Sequence, residues 1–269
     1  MQLINGVYTI QLSSLDRGLQ FGDGCFTTAQ VKNGQVCHLA LHLARLQRDS
    51  QRLGIHFELW SLLRQEIETF VKNTDSGVVK IILTRGVGGR GYSSLGCNAT
   101  QRILSLAPYP SHYRDWQQQG VSLVTSPVNL GMNPNLAGIK HLNRLEQVLI
   151  KQHLDAEHGQ EALVLDYQKN IVECCAANII WRRGNRLYTP ALVNAGVEGI
   201  MKGLVIEALH TAGYHCSEVT QPREVLEHAD EVIICNALMP VLPVTRIDQW
   251  QYQPGNVMAT LIQLGFTAS

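Results

Sequence analysis

Only seven lysines occur in the 269-residue chain, so each can be weighed for chemistry. Lys32, Lys72, Lys151 and Lys169 lie beside turns, at a helix end or on a polar helix face, and read as solvated. Lys80 sits within a strand and reads as pointing outward, and Lys202 falls in the first turn of a helix. Lys140 differs. It follows the uncharged run Val128–Ile139 and precedes Leu142, Leu145 and Leu149 at helical spacing. An amine in a dehydrated setting gives up its proton more readily, which an imine-forming or basic lysine needs. The rival reading is an ordinary lysine near a helix start.

Three further features have the chemistry of a small anionic ligand. Gly199-Ile200-Met201 opens a helix, and the free N–H groups of such an end can hold a phosphate. Every helix has an N-terminus, so this signal alone is weak. Arg90, in the glycine-rich stretch Arg85–Tyr92, can grip a carboxylate with two parallel bonds, or can be a solvated loop arginine. Glu173 precedes the small-residue run Cys174-Cys175-Ala176-Ala177, where a carboxylate can enter a tight cofactor site or end a strand in solvent. No GxGxxG opens a helix, no GKS or GKT is present, and no GxSxG supports a serine hydrolase.

The elements that must position these residues follow from periodicity and turn chemistry. Asn5-Gly6 and Asn33-Gly34 sit between short β-prone runs and predict tight hairpins. Helices are predicted at Leu39–Leu53, Leu59–Val71, His141–Leu154, Gly199–Ala212 and Val257–Leu264. Strands are predicted at Val78–Thr84, Ile103–Ala107, Val121–Thr125, Ala162–Leu165, Ala177–Trp181, Arg186–Tyr188 and Glu231–Cys235. Pro108-Tyr109-Pro110 and the polar run after it read as a boundary. The chain is therefore expected to be α+β, with a smaller N-terminal domain over 1–110, a linker over 111–120 and a larger C-terminal domain over 121–269.

Composition removes whole classes of function. Twenty-two Lys+Arg balance 22 Asp+Glu, which argues against a general nucleic-acid or membrane-surface binder. With 45% hydrophobic and 16% charged residues the chain can build a large core. Neither a signal peptide nor a membrane span is expected. Seven cysteines without a CxxC, and ten scattered histidines, suit neither a disulfide scaffold nor a metal site, so no metal and a reduced cytoplasmic setting are expected.

Taken in order, Asp16-Arg17-Gly18 with Phe21-Gly22-Asp23-Gly24, Gly138-Ile139-Lys140, Glu173 with Asn178, and Gly199-Ile200 resemble the fold-type IV pyridoxal 5′-phosphate (PLP) enzymes. That family includes branched-chain and D-amino acid aminotransferases. Within it, the strings FGDGCFTT (Phe21–Thr28), GGRGYS (Gly88–Ser93), KHLNRLEQ (Lys140–Gln147) and CNALMP (Cys235–Pro240) resemble the 4-amino-4-deoxychorismate lyase branch. The likeness spans nearly the whole chain.

The resemblance implies a two-domain, D-amino acid aminotransferase-like fold, a homodimer and PLP as cofactor. It implies that Lys140 forms the Schiff base, that Glu173 faces the pyridine nitrogen, and that Arg45 binds the phosphate with the Ile200 and Met201 amides. Asn236 and Ala237 match a second phosphate-binding turn, and Val197 falls where the family packs an aliphatic side chain on the ring. Arg90 and Tyr92 match positions that contact substrate carboxylate. Phe26 stands where the D-amino acid enzymes have tyrosine, and His141-Leu142-Asn143-Arg144 follows Lys140 where transaminases often place a tyrosine. Both departures weaken a transaminase assignment. The implied reaction eliminates pyruvate from 4-amino-4-deoxychorismate to leave 4-aminobenzoate, with Thr28 or Lys140 as the acid for the leaving group. A D-amino acid or branched-chain aminotransferase, or a non-catalytic binding protein, are the alternatives.

Overall fold

The computed structural model describes residues 1–268, which divide into two compact units. The first comprises Met1–Tyr109 together with Ile139–Asn143, and the second Pro110–Gly138 together with the chain from Arg144 onward. The chain therefore returns to the first unit for five residues, and Lys140 is among them.

The first unit carries, in chain order, β1 (Gln2–Ile4), β2 (Val7–Tyr8), α1 (Arg17–Phe21), β3 (Gly24–Lys32), β4 (Gln35–Val36), α2 (Leu39–Arg52), α3 (Trp60–Val71), β5 (Ser76–Thr84) and β6 (Gln101–Ala107). Its six strands form an antiparallel sheet in the order β2-β1-β6-β5-β3-β4. The Asn-Gly hairpins form as expected: Asn5 and Gly6 have φ of 51° and 82°, and Asn33 and Gly34 have 49° and 74°. Positive φ at both central residues matches the strand twist, and Asn and Gly tolerate it. β3 presents two different faces. Cys25, Ala29 and Val31 point into a core shared with Leu43 and Leu46 of α2 and Leu63 and Ile67 of α3, while Phe26 and Thr28 lie half-buried on the other face.

The second unit carries α4 (Tyr113–Gln119), β7 (Val121–Thr125), α5 (Leu145–Ala156), β8 (Glu161–Leu165), β9 (Ile171–Cys174), β10 (Asn178–Arg183), β11 (Arg186–Pro190), α6 (Ile200–Thr211), β12 (His215–Val219), β13 (Glu231–Cys235), β14 (Leu242–Ile247), β15 (Trp250–Gln251) and α7 (Asn256–Gln263). Its mixed sheet runs β12-β11-β10-β13-β14-β7-β8-β9, with β15 paired to β14. Val121, Leu163, Ile179, Ile234 and Leu242 pack one face, while Ile180, Ile233 and Val241 meet Met201 and Val205 of α6 and Leu261 of α7. Glu231 accepts from the N–H groups of Gly255, Val257 and Met258, occupying donors that the start of α7 would otherwise leave unpaired.

Two expectations are corrected. Residues 111–120, read as a linker, contain the helix α4. Tyr113 and Trp116 pack on the core, and Gln117 donates to Val241 O and Phe266 O at 2.8 and 2.9 Å. Two aromatics three residues apart outweigh the polar residues around them. The helix predicted over His141–Leu154 begins only at Leu145, because the residues before it use their backbone groups elsewhere. Phe26 N donates to Lys140 O and Leu142 N to Gly24 O, so the segment lies against the start of β3. In α5 itself, Leu145, Val148 and Leu149 are exposed, and Ile150 and Leu154 are the buried pair. Glu173, read either as entering a tight site or as ending a strand in solvent, lies within β9 and is buried.

Candidate active site

In the first unit the candidate site is built on α2, β3 and the returning segment. Arg45 and Asp49 stand four residues apart on α2, so both project from one face of the helix, and both are buried. Asp49 Oδ2 accepts from Lys140 N at 3.0 Å, while Oδ1 accepts from Arg48. That bond fixes the backbone from which the Lys140 side chain projects. Lys140 Nζ lies 4.7 Å from the centre of the Phe26 ring, and Lys80 Nζ lies 4.7 Å from the same ring. Lys80 is thus not a lysine turned away from the chemistry: it is half-buried, and it is the cross-strand partner of Thr28.

Arg45 donates through one terminal nitrogen to Thr27 Oγ1, which lies 2.6 Å from His42 Nδ1. Its Nε is buried with no hydrogen-bond partner. Burial penalises the guanidinium charge and lowers its pKa from 12.5 to about 10, although Asp49 acts in the opposite direction. A buried, unmatched guanidinium N–H is costly, and an anionic ligand is the species that would satisfy it. Burial, with the Arg45 charge behind it, pushes His42 down from 6.5 to about 3. His42 is therefore neutral at pH 7, and its Nδ1 accepts from the Thr27 hydroxyl. A pKa depressed on folding costs stability as pH falls below the unfolded value near 6.5, with the loss growing down to about 3. The His42 ring signals in an NMR titration are expected to stay fixed between about pH 8 and 5.

The glycine-rich segment holds the other two residues from this unit. Arg90 and Tyr92 are exposed, with Tyr92 at 89%. The Phe21 and Tyr92 rings lie 5.5 Å apart.

In the second unit, Glu173 and Asn178 clamp the main chain of Val197. Val197 N donates to Glu173 Oε2 at 2.8 Å, and Asn178 Nδ2 donates to Val197 O at 3.0 Å. Gly196, at φ +88°, leaves room for this: a Cβ there would lie 2.7 Å from Val172 and 2.8 Å from Leu192. Gly199, the residue before α6, has no space for a Cβ because the Asn178 side chain fills it. No side chain caps α6, so the Ile200 and Met201 amides begin the helix without an intrahelical partner. Behind them Lys202 is 2% exposed and is held by Glu198 and Glu218 at 2.9 and 3.2 Å. Asn236 accepts from Leu238 N and Met239 N and donates to Ala176 O, shaping the turn that contains Ala237.

The structure sets Lys140 Nζ over the Phe26 ring, on the face of β3 that also carries Thr28; it puts Arg45 against Thr27 on the opposite face, and in the second unit it joins Glu173 to Val197, three residues before Ile200 and four before Met201. Four residues escaped the sequence reading. Asp49 could have been found as an acid four residues after Arg45 on the apolar face of a predicted helix. Thr27 and His42 gave no signal, since their roles depend on which face of β3 meets α2. Glu161 is buried, and burial raises its pKa to about 7. It accepts from Ala162 N and Ala176 N, steadying the same turn that Asn236 grips. Among the described residues, no group of three or more His, Cys, Asp or Glu is placed to hold a metal, and no helix is long and apolar enough to cross a membrane.

Comparison with known proteins follows the same lines. Residues 24–247 match the family described as amino-transferase class IV. The chain is 36% identical to an aminodeoxychorismate lyase of Vibrio harveyi, over 91% of its own length and 90% of the relative's. It is 29% identical to a D-alanine aminotransferase of Bacillus licheniformis, over 87% and 82%. The crystal structure of 4-amino-4-deoxychorismate lyase from Pseudomonas aeruginosa superposes with a TM-score of 0.93 at 35% identity, covering 98% of this chain and 97% of that one. A family match over residues 24–247 and 36% identity over nine-tenths of the chain place it: the chain belongs to the amino-transferase class IV family, with its α+β fold.

Proposed function

We propose that this protein uses PLP to eliminate pyruvate from 4-amino-4-deoxychorismate, leaving 4-aminobenzoate. The observation that carries the reading is 36% identity over nine-tenths of the chain to a lyase of that name, supported by the TM-score of 0.93 to another.

The residues present fit the cofactor. In the second unit the Ile200 and Met201 amides at the start of α6 would offer bonds to the cofactor phosphate, and in the first unit the orphaned Arg45 Nε is suited to an anionic group. Asn236 and Ala237 supply a further phosphate-binding turn. By the family resemblance, Lys140 would hold the cofactor's aldehyde carbon, Val197 would pack on its ring, and the buried Glu173 carboxylate would favour a protonated ring nitrogen. When bound, PLP supplies an electrophilic carbon for the substrate amine and a ring that takes up the electron pair released when a neighbouring C–H bond breaks.

The remaining work falls to side chains. Lys140 Nζ would act as the base that removes the proton from the carbon bearing the substrate amine. The Asp49 bond to Lys140 N sets where that base stands. Loss of the enolpyruvyl ether oxygen needs a proton, and Thr28 Oγ1 or Lys140 Nζ delivers it. Thr28 lies on the face of β3 that carries Phe26, whose ring both lysines approach. Arg90 and Tyr92 bind a substrate carboxylate. Pyruvate departs, the six-membered ring becomes aromatic, and no oxidant or reductant is required.

Incubating the PLP-loaded enzyme with 4-amino-4-deoxychorismate should yield equal amounts of pyruvate and 4-aminobenzoate without any keto acid present. An absolute requirement for a keto-acid acceptor would point to transamination and sink this reading. Replacing Arg45 by Met should weaken PLP affinity by about 100-fold, the worth of a charged hydrogen-bond pair in a dry site. Equilibrium dialysis measures it directly. The exposed Leu145, Val148 and Leu149 stripe on α5 supports a homodimer. A solution mass near that of one 29.9 kDa chain at micromolar concentration would count against it. Seven free thiols, three of them buried, accord with a reducing, cytoplasmic setting.

A further inference from the structure

We infer that Arg17 is the positioning residue of the loop that carries Arg90 and Tyr92, setting substrate affinity without touching substrate. The inference rests on the proposed role of that loop at the substrate carboxylate.

The loop's own backbone bonds are short turns, Ser93 N to Arg90 O and Cys97 N to Ser94 O, both at 3.1 Å. Gly86, Gly88, Gly89 and Gly91 all adopt positive φ, and Arg90, Gly91, Tyr92 and Ser93 are exposed. A glycine-rich chain of this kind has many accessible conformations, and ordering it costs entropy that some other group must offset. Arg17 supplies the offset. It is 4% exposed, and it sits at the first position of α1, behind an Asp16 cap that accepts from Gly18 N and from Thr84 Oγ1 at 2.8 Å each. Its guanidinium faces the loop. Nη1 donates to Gly91 O at 3.0 Å and to Ser93 O at 3.1 Å, and Nη2 donates to Tyr92 O at 3.2 Å. Three successive carbonyls are thus collected by one rigid planar fork. The Arg17 backbone adds a bond from its N–H to Gly86 O at 2.9 Å, at the other end of the loop.

The fork is itself anchored. Arg17 Nε donates to Asp23 Oδ2 at 2.8 Å, and the same oxygen accepts from Arg85 Nε at 2.8 Å. Arg85 reaches on to Leu53 O and Gly54 O, beyond the end of α2. Burial acts to raise the Asp23 pKa, but bonds to Arg85 and Arg17 outweigh it and hold the carboxyl below its usual range. Arg17 also stacks its charge over Phe21, whose ring neighbours Tyr92. With its guanidinium spent on main-chain carbonyls and Asp23, Arg17 acts on the loop, and Arg90 is left exposed for a ligand.

Two substitutions test this on the PLP-loaded enzyme. Arg17→Lys keeps a charge for Asp23 but replaces the planar fork with a tetrahedral ammonium. Gly89→Ala leaves Arg17 in place, yet puts a Cβ against Ser93 O and 3.2 Å from Arg17 Nη1, at φ +75°. Each variant should keep the wild-type cofactor absorption spectrum and a kcat within about 3-fold. KM should rise by about 10-fold, the signature of lost binding rather than lost chemistry. Hydrogen exchange should quicken over residues 86–95 and not in the sheet. Wild-type exchange and KM in both variants would overturn the inference, as would a fall in kcat with KM unchanged. If Arg17→Lys does not fold, Gly89→Ala decides alone by the same criteria. An Arg90→Ala enzyme with unchanged KM would remove the carboxylate assignment itself, and with it any link from the loop to affinity, even where exchange shows the loop released.

Discussion

Replacing Lys140 by Ala should abolish covalent retention of the cofactor and lower turnover by about a thousandfold or more. The size of the loss follows from two tasks falling on one nitrogen: holding the cofactor, then moving a proton at the carbon beside the substrate amine. The neighbouring amine cannot easily take over. Lys80 Nζ reaches the same Phe26 ring at 4.7 Å, but it projects from β5, opposite Thr28, whereas Lys140 projects from a segment tied to β3 and to Asp49. Borohydride reduction of the wild-type holoenzyme followed by peptide mapping should place the label on Lys140. A label on Lys80, or full activity in the Lys140→Ala enzyme, would reassign the role.

Glu173→Gln is expected to retain the fold and PLP binding while lowering kcat by about 100-fold or more. The amide is nearly the same shape, and its oxygen can still accept from Val197 N, so the clamp on that segment survives. What disappears is the negative charge. Glu173 is buried, where a charge acts at low dielectric, and a neutral amide there no longer favours a protonated ring nitrogen. Stopped-flow rates and the visible spectrum of the variant measure the effect. Unchanged kcat with unchanged cofactor affinity would show that the carboxylate serves only the Val197 backbone.

Much of this was legible before any coordinates. The Asn-Gly pairs mark hairpins because positive φ at two successive residues suits few other dipeptides. The 3.6-residue spacing of Leu39, Leu43, Leu46 and Leu53 marks α2, and β7 and β13 begin and end where their apolar runs do. Local signals failed where tertiary partners took over. The Leu142-Leu145-Leu149 spacing predicts a core-facing helix from His141, yet the first residues pair with Gly24 and Phe26 and the apolar stripe faces outward. The polar run over 111–120 hides Tyr113 and Trp116, whose burial is decided by the sheet they meet.

The sequence by itself determined the kinds of groups present: a lysine in an uncharged stretch, an arginine on an amphipathic helix, an acid before small residues, and glycines at turns and a helix start. Residue type and spacing carry that information because side-chain period and backbone sterics are local. Only the tertiary structure decided how those groups are used. It buries Arg45 with Nε unsatisfied, sets Thr27 rather than Thr28 beneath it, and ties Lys140 N to Asp49 across 91 residues of chain. It also turns Arg17 inward onto three loop carbonyls and leaves Arg90 outside. The physical reason is that burial and hydrogen-bond partnership belong to pairs of surfaces. A strand's alternation shows that two faces differ, and the element packed against each face determines what its residues do.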